Sequence, residues 1–178
     1  VYERFGRCDV LVNNAGMSPL YPSVDAITEA LYDKVMDVNL KGPFRLSALV
    51  GTRMVAGGTT HGRGSILFVS SIASRRPTPN ELVYGAAKAG IGGFTRSLAR
   101  EVGSRSITVN TIAPGVFLTP MVAGMPEEVQ ESLGKQVPFP PRLGKPEEYA
   151  DAVEFIYGTT MVNGETIRVD GAIRMQPK

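Results

Sequence analysis

Three short apolar runs constrain this chain more than anything else in it: Asp9–Asn13 (DVLVN), Ser65–Ser71 (SILFVSS) and Ile107–Ala113 (ITVNTIA). None alternates apolar with polar residues, as a strand with one wet face would. Unalternating runs of this length suit strands covered on both faces, the situation of a parallel sheet. A fourth run, Thr166–Val169 (TIRV), is closed by Asp170-Gly171.

Stretches with helical spacing separate the runs. From Thr28 one passes through Leu31, Val35, Val38, Phe44, Leu46, Leu49 and Met54, and Gly42-Pro43 predicts a kink or bulge in it just after Asn39. A second carries Tyr84 and Lys88 among Ala86, Ala87, Ala89, Gly90, Gly92 and Gly93. So many small residues lower helix propensity and permit close approach of another helix, within the molecule or between subunits. A third starts cleanly at Pro146, with Glu147 and Glu148 at the positive end of its dipole. Thr119 to Val137 reads as a mobile, weakly amphipathic segment, and Pro120 to Phe139 is expected to cover the substrate. Strands alternating with helices give βαβ units, so the fold class is α/β with helices flanking a parallel sheet.

Composition excludes several functions. A net charge of +2 without a basic block points to neither nucleic acid nor an anionic membrane. No apolar run is long enough to span a bilayer, and no signal peptide opens the chain. The single cysteine, Cys8, cannot form an internal disulfide, which suits a reducing, cytoplasmic setting, and it reads as a small packed hydrophobe. His61, in a Gly-rich polar stretch, reads as a solvated loop residue, and neither it nor Cys8 has partners for a metal.

The chemistry centres on Tyr84 and Lys88. Four residues of α-helix rise about 6 Å and return to the same face, so both side chains can enter one site. A Lys ammonium about 4 Å from a phenol favours the phenolate by up to about 4 kcal/mol, or roughly three pKa units. That would bring the phenol near the neutral range where a general acid/base works best. Ser71, at the end of the second apolar run, precedes Tyr84 by thirteen residues.

With these residues in place, the chain resembles the short-chain dehydrogenases/reductases. Asn13-Asn14-Ala15-Gly16 is similar to the family's NNAG motif, Asn39, Ser71, Tyr84 and Lys88 to its catalytic tetrad, and Pro114-Gly115 with Thr119 to its nicotinamide-side motif. The resemblance implies a doubly wound, Rossmann-like sheet, of which residues 1–178 would be a single domain holding the C-terminal part. It implies an NAD(P)-dependent oxidoreductase, with NAD expected and NADP admitted. Tyr84 would donate or accept the proton, Lys88 would lower its pKa and bind the nicotinamide ribose, and Ser71 would hold the substrate oxygen. Asn39 would hold a water connecting Lys88 to solvent, although a residue satisfying backbone groups freed by the kink is an equal reading. Asn14, Ala15 and Gly16 would line the adenosine side. Phe117 and Thr119 would fix the carboxamide and phosphates, and Thr119 also reads as a helix N-cap.

The tail, Gln136–Gly144, Glu148–Ala150 and Asn163–Gln176, is similar to type 2 3-hydroxyacyl-CoA dehydrogenases, with Ala172 where a second Gly is more common. A 3-hydroxyacyl-CoA is therefore the expected substrate, with a 3-oxoacyl thioester reductase or another alcohol dehydrogenase as alternatives. Homodimers or homotetramers through the helices around Val35–Met54 and Tyr84–Arg100 are implied as well. Arg75 and Arg76 read as a solvated pair, or else as contacts for an acidic CoA or carrier group.

One family feature is missing from these residues: the Gly-rich strand–turn–helix that takes the cofactor pyrophosphate. The first residues read as the last turn of a helix ending at Gly6, without an initiating Met or an N-cap. The expectation is an incomplete or truncated copy of an enzyme, with a catalytically silent interaction module as the contrasting reading.

Overall fold

The computed structural model describes residues 1–57, 64–76 and 79–174, the side chain of Met121 excepted; the expected loop around His61 lies outside them. Four parallel strands form the sheet in the order β1 (Val10–Asn13), β2 (Gly64–Val69), β3 (Ile107–Pro114) and β4 (Thr166–Val169). Val10 lies opposite Ser65, Gly64 opposite Ile107 and Thr111 opposite Thr166, so the C-terminal ends of the strands gather on one side.

Alternation of side chains along β2 splits the core in two. Ile66 and Phe68 point to one face, where they pack with Met54 of α3 (Gly42–Gly57) and Ile91 and Ala99 of α4 (Leu82–Val102). Leu67 points to the other and meets Ile112 and Ile156, the latter from α7 (Pro146–Gly158). Both faces are covered over β2 and β3, which is why these runs carry no polar alternation, whereas Val12 on the edge strand β1 is 37% exposed.

Helix starts follow local chemistry. The first turn, α1 (Tyr2–Phe5), ends at Gly6 in the left-handed conformation, as the sequence suggests. The Thr28 hydroxyl accepts from Leu31 N–H at 3.2 Å and caps α2 (Glu29–Met36). Between α2 and α3 the backbone widens into one turn of π-helix, Asp37–Lys41, with Asn39 at its centre. The disturbance expected at Gly42-Pro43 is thus a π-bulge. On α4, a Cβ on Gly90 would stand 3.1 Å from Leu40, so at least this small residue serves contact within the molecule.

Strand boundaries shift by one or two residues from the sequence reading. The first strand starts at Val10, although Asp9 O still accepts from Ser65 N–H at 2.9 Å while its side chain pairs with Arg7 at 2.7 Å. The second stops at Val69, because the Ser71 hydroxyl accepts from Ala73 N–H and caps a short 3-10 turn, Ile72–Ser74. The segment after β3 holds two helices, α5 (Pro120–Ala123) and α6 (Glu127–Lys135). Arg142 clamps the following loop to the start of α7 through both oxygens of Glu148, at 2.9 and 2.7 Å.

Ala172 has φ 63°, in the left-handed region where a Cβ meets the following carbonyl. This explains why glycine suits the position. Ala172→Gly is expected to raise the unfolding free energy by about 0.5–1 kcal/mol in urea titrations; an unchanged midpoint would show that the turn carries no such strain.

Candidate active site

The site is built where the strands end. Lys88, on α4, is 3% exposed and donates through Nζ to Val69 O at 2.7 Å, the last carbonyl of β2. Ser70 Oγ donates to Lys88 O at 2.9 Å, so helix and strand end are joined from both sides. One turn earlier on α4, Tyr84 faces the same space, with Lys88 Nζ 5.7 Å from its ring centre. The Ser71 hydroxyl accepts from Ala73 N–H at 3.1 Å and lines the same cavity as Tyr84. Leu82 N–H donates to Tyr21 Oη, which ties the loop before α2 to the start of α4.

Beneath this group the π-bulge presents Asn39, which is fully buried. Its amide nitrogen donates to Met17 O at 2.8 Å and to Val35 O at 2.9 Å, and its oxygen accepts from Met17 N–H at 3.2 Å. Asn39 therefore satisfies a carbonyl of the widened helix and pins the loop after β1. A Cβ on the neighbouring Gly16 would stand 3.1 Å from Asn39 Oδ1 and 3.5 Å from Lys88 Nζ. The approach to Asn39 is tighter than an ordinary Cβ contact, whereas that to Lys88 is of ordinary length.

A cavity of about 620 Å³ opens over these groups. Ser71, Tyr84 and Lys88 line it together with Asn14, Gly16, Pro114, Gly115, Phe117 and Thr119. Of the residues singled out in the sequence, Ala15 is exposed outside this lining and Asn39 supports it from below. The Thr119 hydroxyl also accepts from Val122 N–H at 3.5 Å as the N-cap of α5, so both of its expected placements coincide.

Several lining residues had no sequence signal. Met17 and Ser18 follow the NNAG motif, Glu81 precedes α4, and Tyr149 enters from α7 with its ring edge-on to Phe117 at 6.1 Å. The Tyr149 hydroxyl is buried without a partner among the described residues, and burial pushes its pKa up to about 12. Tyr149 lies in the Glu148–Ala150 stretch of the tail, which gave it no role at the site.

The electrostatics correct one expectation. Tyr84 is raised above the ordinary phenol value, chiefly by burial and further by the Glu81 charge, while the Ser71 hydroxyl opposes both. The expected lowering by Lys88 fails because its ammonium lies against Val69 O rather than beside the phenol oxygen. Burial also brings Lys88 itself down to about 8.

A family model described as enoyl-(acyl carrier protein) reductase matches residues 1–173. The chain belongs to the short-chain dehydrogenase/reductase family. Human 3-hydroxyacyl-CoA dehydrogenase type-2 is 44% identical over 98% of the chain and 69% of its own length. The 3-oxoacyl-[acyl-carrier-protein] reductase of Thermotoga maritima is 37% identical over 97% of the chain and 69% of its own length. A crystal structure of the corresponding reductase from Brucella melitensis aligns with a TM-score of 0.84 at 38% identity, covering 94% of this chain. The chain spans 63% of that protein, and 69% of the human relative. As a member of the short-chain dehydrogenase/reductase family it has the parallel sheet expected from its apolar runs and the Rossmann-like arrangement that the resemblance implied. Among the described residues no helix is long and apolar enough to cross a membrane.

Lys88 generates a pH prediction. Its folded pKa is depressed, so from about pH 8 to about pH 10 the unfolded chain holds a proton that the folded chain has lost. The stability contribution of this group is lowest below that window and rises with pH through it. The unfolding free energy of the wild type, relative to Lys88→Met, is expected to climb across the window by at most about 1.4 kcal/mol per pH unit. Urea titrations at successive pH values measure it, and a flat difference would contradict a buried, depressed Lys88.

Proposed function

We propose that this chain carries the catalytic residues of an NAD(P)-dependent oxidoreductase that interconverts a secondary alcohol and a ketone, with a 3-hydroxyacyl-CoA as the alcohol. The observation that carries the reading is that Ser71, Tyr84 and the buried Lys88 all line one cavity at the strand ends. The names of the relatives supply the substrate class, since both describe an oxygen at carbon 3 of an acyl thioester.

The residues fit the nicotinamide end of a dinucleotide. The glycine passage at Gly16 keeps side-chain bulk away from Lys88 and Asn39, and Asn14, Pro114-Gly115, Phe117 and Thr119 complete the same cavity. An ammonium has three N–H donors; with one held by Val69 O, Lys88 can offer the others to ribose hydroxyls. The nicotinamide, when bound, supplies hydride transfer. We assign NAD, with NADP admitted, and a cytoplasmic setting.

The proton chemistry belongs to the chain. A Tyr84 held above its ordinary pKa stays protonated at neutral pH, which suits delivery of a proton to a ketone oxygen. Ser71 would hydrogen-bond that oxygen and orient it toward the phenol. Lys88, at about 8, is largely cationic at neutral pH and would hold the ribose while it stays bonded to Val69 O. Alcohol oxidation returns the proton to Tyr84. Asn39 is placed as the positioning residue that holds the Met17 loop and the π-bulge.

Tyr84→Phe is expected to lower kcat by about 10²–10⁴-fold, the usual span for a lost general acid. The affinity for NAD(H), followed by calorimetry, should change far less. Retention of full turnover by the phenylalanine variant would remove Tyr84 from the mechanism.

Assembly as a homodimer or homotetramer through α3 and α4 completes the reading. Phe44, Leu46 and Leu49 of α3 are 53%, 49% and 66% exposed, and Phe44 lies 5.7 Å from Phe94 of α4, beside Leu98 in a shared groove. Exposed apolar residues on adjoining helices mark association surfaces. Leu98→Asp should shift sedimentation toward a smaller species, and an unchanged profile would exclude this face.

A further inference from the structure

The geometry points to a second pocket, beside the catalytic cavity, in which Arg75, Arg76, Arg168 and Arg174 bind the phosphate groups of an anionic ligand. The pocket has a volume of about 340 Å³ and lies between the turn after β2 and the end of β4. It shares Ser71, Ile72 and Arg76 with the catalytic cavity, so the two spaces lie on either side of the catalytic serine.

The chemistry of the lining is one-sided. Four arginines line the space, and no acidic residue is among its lining residues. One acid stands behind it: Asp170, whose side chain is 6% exposed, accepts from Arg168 Nη2 and from Ala172 N–H at 3.1 Å and forms an ion pair with Arg174 Nη1 at 3.6 Å, which itself donates to Ile173 O at 2.7 Å. That buried carboxylate anchors two of the guanidiniums and leaves N–H groups of each available. Arg75 and Arg76 form no ion pair with any described residue.

Clustered like charges repel, and an arriving anion relieves that repulsion. Guanidinium forks match phosphate oxygens two at a time, which a lysine cluster does not do. The concavity suits a compact polyphosphate better than the broad acidic face of a protein. Two sources share this chemistry: the phosphates of a coenzyme A thioester whose acyl end reaches Tyr84, or a free polyphosphate. In either case the bound anion lies against the turn that carries Ser71.

The test is calorimetric titration of the full chain with coenzyme A, with inorganic pyrophosphate and with pantetheine, which lacks the phosphates. Coenzyme A is expected to bind, pantetheine much more weakly, and the affinity to fall with added salt. Arg75→Glu combined with Arg174→Glu should weaken coenzyme A by at least about tenfold. Arg75→Ala alone, at an exposed side chain without an ion pair, should give a smaller loss in the same direction while circular dichroism stays unchanged. Competition by pyrophosphate would assign the pocket to polyphosphates in general, and coenzyme A binding without it would assign the pocket to the thioester. Equal affinity of wild type and variants, or pantetheine binding as tightly as coenzyme A, would overturn the proposal. The titration requires no turnover, so its failure would leave the Tyr84 mechanism standing, and an inactive chain could still pass it.

Discussion

Lys88 donating to Val69 O holds this site together, and much of the surrounding structure is needed to keep that bond in place. A lysine 3% exposed is a burden on stability, which burial expresses by bringing its pKa to about 8. The burden persists because the bond fixes α4 against the end of β2, and Ser70 fixes the reverse direction through the Lys88 carbonyl. With the helix locked there, Tyr84 falls one turn nearer the cavity and meets Ser71 where β2 gives way to its capped turn. Small residues on the inner side of α4 and the covered faces of the sheet serve the same end. They keep the helix close enough for a short side chain path to the strand.

The π-bulge is the second device. An extra residue in a helical turn frees a carbonyl, here Val35 O, and a buried amide takes it up. The same amide reaches sideways to both backbone groups of Met17. A defect in one helix thereby fixes the loop that borders the cavity. The side chains proposed to act here are set by backbone partners more than by one another, the kind of preorganisation that costs nothing at the moment of reaction.

Much of this could be read before any coordinates. The unalternating apolar runs gave parallel strands within one or two residues, and Gly42-Pro43 placed the helical disturbance. Ser71, Tyr84 and Lys88 were legible because their spacing follows directly from a strand end and one helical turn. Tyr149 was not, since nothing in a helix pattern reveals which face meets a cavity made by distant strands. The direction of the Tyr84 shift was also hidden. A distance between two side chains on one helix depends on where each rotamer finds its hydrogen bond, and Lys88 found a carbonyl instead of the phenol. The arginine cluster was half visible as Arg75-Arg76; its other half arrives from β4, nearly a hundred residues later.

Gly16 carries a consequence for how such a site can vary. The space a methyl group would need is already claimed by an amide oxygen and an ammonium. Glycine is the one residue without a Cβ, so any other residue there presses first on the Asn39 amide oxygen and only touches the Lys88 ammonium. Positions around the cavity rim can drift through graded replacements and retune what the site accepts. Here even the smallest replacement reaches, through Asn39, the bulge that holds the Met17 loop.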